Sequence, residues 1–448
     1  MRRKLLLTIP FALAFSLVDS SVIASDRKFT IVASESELPR LIQTMRGDRT
    51  VDPDRLYERV FNLIKDDFYE PDTLGKQNWE RWQHRYDGKL KTLEDAHKAI
   101  ETMLASLGDR YTRFLDTDAF ADEKSQIDAK LFGIGIQIGI DKDHRVIVIT
   151  PIDDTPASRA GLQPGDEIAE IDGKATKGFS VEDAAKYIRG KIDTPVNLVL
   201  MRKKERIKVT VVRAEIAIKA VQTAKMLDSQ VGYIRLSSFI SQQANREMSE
   251  ALVKMSGAKG IVLDLRDNPG GLLTNAIEIS NMFLDSGVIV STVDRDGYKN
   301  PSPSDGKPIC RQPLVVLVNK NSASASEITS GALKDNGRAT LVGQTTFGKG
   351  LVQGINKLED GSGVNITIAR YLTPNDTDIN KKGIGPDVKV EITDKDLKEG
   401  RGPWWADPDG PAAKRVPEDM KDVQLKSAVE VCHRKIDDIN PVAINARK

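Results

Sequence analysis

Histidine and cysteine are scarce in this chain of 448 residues, which contains four histidines and two cysteines. The histidines are His84, His97, His144 and His433. No zinc motif is present, because none of them has a second ligand at metal-binding spacing. Two cysteines cannot build a disulfide scaffold, and Cys310 and Cys432 could form at most one bridge. We therefore expect no metal and no cofactor.

An excess of charge of one sign is also missing, because 66 lysines and arginines balance 65 acidic residues to a formal net charge of +1. The main basic run, 202–206, is interrupted by Glu205 and has no adjacent aromatic residue. This excludes a nucleic-acid-binding surface of the usual kind. A hydrophobic share of 40% and a charged share of 29% are typical of folded globular proteins. At roughly 150 residues per domain, the length favours several domains.

Long apolar runs are absent except at the N-terminus. Three basic residues at positions 2–4 precede an apolar stretch at 5–18, and small residues follow up to Ala24. This pattern is typical of a secretory signal peptide, and the stretch is short for a membrane-spanning helix. We expect a signal peptide over 1–24, cleavage after Ala24, and export. An uncleaved anchor is the alternative.

The remaining chain changes its residue pattern along its length. Apolar residues at helical spacing predict an N-terminal helical domain over 25–130, and alternating β-branched residues predict a β-rich domain over 131–213. Strands at 260–265 and 314–318, helices at 272–284 and 324–334, and a surface loop at 294–307 predict an α/β region over 214–393. The charged segment 394–448, with its Gly and Pro residues, predicts a C-terminal appendage, partly ordered at best.

The β-rich region opens with a glycine-rich segment at 131–136, followed by Ala-Gly-Leu and Pro-Gly-Asp-Glu-Ile within 160–168. Together these segments resemble a PDZ domain. The resemblance implies a peptide-binding strand and loop whose amides converge on a terminal carboxylate, beside a helix near 181–188. Its residues are Phe132, Gly133, Ile134, Gly135 and Ile136. The alternative is a plain β-barrel core whose glycines only make turns.

Serine chemistry would need a base and donors for the oxyanion. No histidine lies in the α/β region and no G-x-S-x-G motif is present, so a Ser-His-Asp triad is not expected. The segment 321–328, Asn-Ser-Ala-Ser-Ala-Ser-Glu-Ile, lies where a buried strand gives way to a helix. Such a junction exposes a nucleophile together with backbone amides. By this reasoning Ser322, Ser324 and Ser326 are all candidates.

A candidate base lies downstream, in Thr-Phe-Gly-Lys-Gly at 346–350. Complete burial lowers a lysine pKa by about 3 to 5 pH units, which would leave the Lys349 amine neutral near pH 7. Strand alternation after Gly350 puts residues 349, 351 and 353 on one face. We therefore expect the amide oxygen of Gln353 to hold the Lys349 amine.

These segments resemble the tail-specific, or carboxyl-terminal processing, peptidases, and in particular their cyanobacterial and chloroplast members. The resemblance implies Ser324 as nucleophile, Lys349 as base and Gln353 as its partner. It also implies oxyanion donors at Ala325 and at Gly270 or Gly271. The fold implied is a crotonase/ClpP-like α/β protease core with an inserted PDZ domain and an N-terminal helical domain.

One position departs from the family pattern. In Leu-Gly-Asp-Arg-Tyr-Thr at 107–112, Arg110 stands where the family more often has proline. We interpret this as a change at a helix end or hinge that leaves the chemistry untouched.

The function predicted is that of a serine endopeptidase of the periplasm or thylakoid lumen that binds apolar C-termini of exported proteins and cleaves near them. A photosystem reaction-centre protein precursor is one candidate substrate. No nucleic-acid or nucleotide partner is expected, while peripheral membrane association and the oligomeric state stay open.

Two alternatives remain. One is a PDZ scaffold without activity. The other is a phosphate-binding loop at 343–350, which lacks the Ser or Thr after its lysine and is followed by residues typical of a strand.

Overall fold

The computed structural model describes residues 51–405 and 416–439, except positions 142, 153 and 218, together with two short strands near the N-terminus. These strands, β1 (Leu5–Leu7) and β2 (Ile31–Ala33), pair antiparallel. The rest of the predicted signal peptide, including its cleavage point, lies outside the described residues. In the part of the chain that is described, no helix is long and apolar enough to cross a membrane.

Helices dominate the first described region. They are α1 (Pro53–Asp67), α2 (Pro71–Lys76), α3 (Leu93–Ala105) and α4 (Thr117–Ile127), with a 3-10 turn at Trp79–Trp82 and strand β3 (Arg113–Leu115). Thr92 and Asp95 form a capping box that begins α3. The apolar faces of α1 and α3 share one core with Leu358, Val364 and Ile366. The helical region is therefore docked on the α/β region.

A β-rich unit follows. Its elements are β4 (Lys130–Gly133), β5 (Ile136–Ile140), β6 (Val146–Pro151), α5 (Pro156–Arg159), β7 (Glu167–Ile171), β8 (Lys174–Ala175), α6 (Val181–Ile188), β9 (Pro195–Arg202), β10 (Glu205–Val212) and β11 (Ala214–Ala217). The sheet runs β10-β9-β7-β6-β5, which leaves β5 at an edge. Strands β4 and β11 pair with each other, so the two connections to the rest of the chain run side by side.

The α/β region contains two sheets. Its strands are β12 (Val221–Met226), β13 (Val231–Leu236), β14 (Gly260–Asp264), β15 (Val288–Asp294), β16 (Lys299–Pro303), β17 (Leu314–Val318), β18 (Ala339–Gly343), β19 (Leu351–Lys357), β20 (Gly363–Leu372) and β21 (Val388–Lys389). Its helices are α7 (Ala244–Lys254), α8 (Leu273–Asn281) and α9 (Ala325–Asp335).

The first sheet runs β12-β13-β14-β17-β18-β21 and is parallel from β13 onward, while the second runs β16-β15-β20-β19 with β3 beside β20. Every residue of β14 and β17 is buried, which is why both read as unbroken apolar runs. The α/β prediction is confirmed. The loop predicted over 294–307 is wrong in its middle, because Lys299–Pro303 pairs with β15 as an edge strand, where proline is tolerated.

The C-terminal segment adds α10 (Asp394–Lys398), a 3-10 turn at Pro417–Asp419, and α11 (Val423–Ile439). Contrary to the expected appendage, α11 buries Leu425, Cys432 and Ile436 against the parallel sheet, on the face opposite to α7, α8 and α9. The two cysteines are free and lie in different cores. No disulfide therefore contributes to this fold within the described residues.

Candidate active site

The candidate site lies at the carboxyl edge of the parallel sheet. Strands β14 and β17 are parallel neighbours, so the turn after β14 and the loop after β17 meet at this edge. A cavity of about 680 Å³ opens there and is lined by Ser324, Lys349, Gln353, Gly270 and Gly271, among other residues. Folding therefore brings together the residues that the sequence places in three separate segments.

Ser324 immediately precedes α9 with φ 54° and ψ −114°, a backbone conformation uncommon for any residue but glycine. Its hydroxyl borders the cavity and donates to no acceptor among the described residues. Ser322 and Ser326 are fully buried, and their hydroxyls donate to the carbonyls of Leu265 at 2.8 Å and Asn268 at 2.9 Å. Of the three candidate serines, only Ser324 reaches the cavity.

Glu327 connects the serine and lysine segments. Its carboxylate is fully buried, and Oε2 accepts the backbone N–H groups of Ser324 and Lys349, each at 2.9 Å. Oε1 accepts the Thr346 hydroxyl at 2.6 Å and the Gly348 N–H at 2.7 Å. One carboxylate therefore fixes two segments. Glu327 was not among the residues predicted from the sequence, although a Glu three residues after a Ser has capping-box spacing.

The same contacts argue against a phosphate-binding loop. The N–H groups of Gly348 and Lys349, which would have to face a phosphate, are bound to a carboxylate instead. The residues that follow form strand β19, where a phosphate-binding loop requires a helix.

The Lys349 side chain is mostly buried, and its Nζ lies 4.8 Å from the centre of the Tyr111 ring. Burial lowers its pKa below the ordinary lysine value. Nearby charges act in both directions, lowering that pKa through Arg113 and Arg110 and raising it through Asp109 and Glu123. The geometry thus provides a lysine amine that loses its proton more readily than an exposed one.

Gln353 lies in the same cavity but does not contact the lysine amine in this structure. Its Nε2 lies 3.4 Å from the Thr367 hydroxyl. A β-bulge between Val352 and Gln353 interrupts the pairing of β19 with β20. The extra residue of the bulge, Ile368, lies in β20, so Lys349, Leu351 and Gln353 still line the cavity together, but the expected hydrogen bond to Lys349 is not formed.

Tyr371 adds a second link between the serine and lysine segments. Its hydroxyl lies 2.7 Å from the Lys349 carbonyl oxygen and 3.2 Å from that of Ser324. Burial raises the pKa of Tyr371 well above its ordinary value, so the hydroxyl keeps its proton as a donor. The sequence did not predict this role.

The turn after β14 packs directly on the serine. The Gly270 N–H donates to Asn268 Oδ1 at 2.9 Å, whereas those of Gly271 and Ala325 meet no acceptor among the described residues. Gly270 has φ 95°, and a Cβ there would lie 2.8 Å from the Ala325 nitrogen and 2.9 Å from Ser324 Cβ. Of the three predicted oxyanion donors, the geometry therefore leaves Gly271 and Ala325 available.

The histidines lie elsewhere, and none borders the cavity. His97 contacts Asp360 at 2.7 Å, and His433 contacts Asp228 at 2.9 Å. These two histidines each contact an acidic residue outside the cavity, which agrees with a site that does not use histidine.

The second candidate site is the glycine-rich segment of the β-rich unit. Phe132 and Gly133 belong to β4, and Ile136 begins the edge strand β5, which contacts α6. The N–H groups of Ile134 and Gly135 have no acceptor in the described part of the chain. The Ile134 side chain is in the core, 1% exposed, so only its backbone is available to a peptide.

Helix α4 lies between the two sites. Its residues Asp122 and Glu123 line the cavity beside Lys349. Arg189, just after α6, pairs with Asp122, and Lys186 of α6 contacts Asp118 at 3.2 Å. The β-rich unit therefore contacts a wall of the cavity.

Comparison with known proteins identifies both units. Residues 230–390 match the model of peptidase family S41, and residues 123–201 match that of the PDZ domain. The carboxyl-terminal-processing protease of Synechocystis sp. is 38% identical over 391 residues, covering 85% of this chain and 87% of that protein. The chloroplastic carboxyl-terminal-processing peptidase 2 of Arabidopsis thaliana is 37% identical over 337 residues, covering 71% of this chain and 65% of that one.

A solved structure shares the fold. The photosystem II D1 C-terminal processing protease superposes with a TM-score of 0.52 at 33% identity, covering 76% of this chain and 94% of the other.

Proposed function

Because the chain belongs to peptidase family S41, we propose that it is a carboxyl-terminal-processing serine endopeptidase in which Ser324 is the nucleophile and Lys349 the general base. Glu327 gives the main support, because its carboxylate binds the backbone N–H groups of both Ser324 and Lys349 and so holds the two residues at one cavity. The lowered pKa of Lys349 and the absence of a histidine at the cavity support the same assignment.

In the first step, the neutral Lys349 amine takes the proton from Ser324 Oγ as that oxygen attacks the carbonyl carbon of the scissile bond. The N–H groups of Gly271 and Ala325 stabilise the oxyanion, each contributing about 3 to 4 kcal/mol by analogy with other oxyanion holes. The lysine then gives its proton to the departing amine, and an acyl-enzyme remains. Water, deprotonated by the same amine, releases the acid and restores Ser324.

Gln353 remains the proposed partner of Lys349. Its support is its place in the same cavity and the length of its present hydrogen bond to Thr367, 3.4 Å, which is weak enough to be exchanged at small cost. An amide oxygen near the amine would favour the protonated lysine that forms during acylation.

The PDZ unit is proposed to bind the C-terminus of the substrate. The N–H groups of Ile134 and Gly135 would receive the terminal carboxylate, and the edge of β5 would pair with the extended tail. The side chains of an apolar tail would then lie against β5 and α6, which contact each other. Export to the periplasm or thylakoid lumen, and a photosystem reaction-centre precursor as substrate, are proposals supported by the cyanobacterial and chloroplastic relatives.

Ser324→Ala tests the proposal against the alternative of an inactive scaffold. The substrate is a peptide that ends in an apolar tail. We expect the parent protein to cleave it, as seen by mass spectrometry. We expect Ser324→Ala to bind the peptide, as seen by fluorescence anisotropy, without cleaving it. A parent that binds but never cleaves would support the scaffold.

A deletion tests the recognition of the tail. Gly133 and Ala214 are paired across β4 and β11, so residues 134–213 can be replaced by a short linker without stretching the chain. We expect this variant to lose its preference between peptides that differ only in their tails. A variant that still chose substrates by their tails would contradict capture by the PDZ unit.

A further inference from the structure

Arg110 is held at the mouth of the catalytic cavity by two aromatic rings. Its Cζ lies 4.8 Å from the centre of the Tyr111 ring and 5.5 Å from that of Phe347. Nη2 donates to the Tyr111 hydroxyl at 2.6 Å. A guanidinium has five N–H donors, so stacking and one hydrogen bond fix its position while leaving most donors unused.

The other charges at the cavity are already compensated. Arg113 pairs with Glu123 at 3.2 Å, and Asp122 pairs with Arg189. Lys349 is neutral while it acts as the base in the proposed function. Arg110 makes no ion pair within the described residues and is among the residues lining the cavity. Among the charged residues that line the cavity, Arg110 is therefore the cation without an acidic partner in the described part of the chain.

The neighbouring acid does not serve as its partner. The Asp109 carboxylate accepts the N–H groups of Tyr111 at 3.0 Å and Thr112 at 3.2 Å, as well as the Thr112 hydroxyl at 2.8 Å. Asp109 thereby holds the turn that carries Arg110 and Tyr111 toward the cavity. These hydrogen bonds fix the turn and leave the Arg110 guanidinium facing the cavity. A charged group held in place in this way is preorganised to bind an anion.

We propose that Arg110 is a specificity-determining residue that binds a carboxylate of the substrate beside the scissile bond. This rests on the proposed function of the cavity. It replaces the earlier interpretation of Arg110 as a change at a helix end or hinge. The carboxylate has two sources: an Asp or Glu side chain near the cleaved bond, or the terminal carboxylate of a substrate cut close to its end.

The experiment uses the full chain and paired peptides. In one panel Glu is placed in turn at each position flanking the cleaved bond, and in its partner Gln takes the same position. In a second comparison, one peptide ends in a free acid and the other in an amide. The value of kcat/KM is measured for the parent, Arg110→Gln and Arg110→Lys. Arg55→Gln is the control, because Arg55 is 70% exposed on α1 and outside the cavity.

We expect the parent to prefer one carboxylate-bearing peptide over its neutral partner by about three- to tenfold, the range for a charge-assisted contact at a partly exposed site. Arg110→Gln brings a Glu–Gln ratio close to one, Arg110→Lys keeps part of it, and Arg55→Gln keeps all of it. Because the PDZ unit also binds the terminal carboxylate in the proposed function, the acid–amide ratio is scored by its change from the parent. Arg110→Gln lowers that ratio by about three- to tenfold if the terminal carboxylate is the group that Arg110 binds. The side-chain pairs and the acid–amide pair show which carboxylate is bound.

A parent without preference, or ratios that are the same in Arg110→Gln as in the parent, would overturn the proposal. Failure of the proposed function looks different. In that case Ser324→Ala would still cleave, or no protein would cleave any peptide, whereas failure of the Arg110 proposal alone leaves cleavage with unchanged ratios.

Discussion

Glu327 accepts the backbone N–H of Lys349 at 2.9 Å, and the same carboxylate oxygen accepts the N–H of Ser324 at 2.9 Å. The nucleophile and the base come from separate segments, and the buried carboxylate sets the distance between their backbones. Such positioning matters because an error of about 1 Å in the placement of reacting groups can cost on the order of 100-fold in rate.

Glu327→Gln tests this role. Each oxygen of the Glu327 carboxylate accepts two hydrogen bonds. In the variant an NH₂ group replaces one of these oxygens, so two donors lose their acceptor inside the protein. We expect a loss of about 1 to 3 kcal/mol in the free energy of unfolding, measured by urea denaturation. We also expect kcat to fall on the order of 100-fold.

The matched control is Glu94→Gln, since Glu94 is a 77% exposed acid on α3 that pairs with Lys98. It should change neither quantity measurably. If Glu327→Gln kept both the parent stability and the parent kcat, Glu327 would not be the anchor of the site.

Gly270→Ala tests the contact between the oxyanion turn and the nucleophile. A Cβ at this position would press on Ser324 Cβ and on the Ala325 nitrogen. We expect kcat to drop by about 100- to 1,000-fold, as when one oxyanion donor is lost.

Gly297→Ala is the control for backbone strain alone. Gly297 also has a positive φ, 82°, but a Cβ there meets nothing within 4 Å. Both variants should lose about 1 to 2 kcal/mol of stability from the left-handed backbone, and only Gly270→Ala should lose activity. Equal activity in Gly270→Ala and Gly297→Ala would show that a methyl group at position 270 does not disturb the oxyanion turn.

Asp422→Ala tests the link between the C-terminal segment and the oxyanion turn. Arg266, four residues before Gly270, is fully buried and donates to Asp422 at 3.0 and 2.8 Å and to Asp264 at 2.7 Å. Removing one acid leaves a buried guanidinium partly unpaired. We expect a loss of about 3 to 5 kcal/mol in the free energy of unfolding, measured in urea.

Asp438→Ala is its counterpart on the exposed side of α11 and should leave the midpoint of unfolding unchanged. A small effect of Asp422→Ala would mean that the C-terminal segment is the loosely attached appendage that the sequence suggested.

The local sequence pattern was enough to predict the buried strands and the two segments that carry Ser324 and Lys349. The apolar runs of β14 and β17 could be read directly, because a strand buried on both faces has no polar alternation. The small-residue junction around Ser324 and the glycine-flanked Lys349 were also visible. The choice of Ser324 over Ser322 and Ser326 came from the family resemblance. The structure adds a physical reason, because the hydroxyls of Ser322 and Ser326 are already bonded inside the core.

Contacts between distant segments could not be read from sequence. Asp422 and Arg266 are separated by 156 positions, so the charged C-terminal segment looked like a solvated tail. The β-bulge at Ile368 of β20, opposite Val352 and Gln353, and the hydrogen bond of Gln353 to Thr367 likewise depend on strand pairing that no local residue marks. The place of Arg110 in the cavity lining, and its contact with the ring of Phe347, likewise depend on contacts between distant segments.

If Lys349 is the base for Ser324, the pH dependence of kcat/KM reports the protonation of its amine. Burial lowers the pKa of Lys349, and a base must be unprotonated, so activity should rise as pH rises through that pKa. We predict a rising limb centred below the ordinary lysine pKa of about 10.4, and no activity at any pH in Lys349→Arg, whose guanidinium stays protonated. A limb near pH 6.5 that vanishes when a histidine is replaced, or an active Lys349→Arg, would contradict the account.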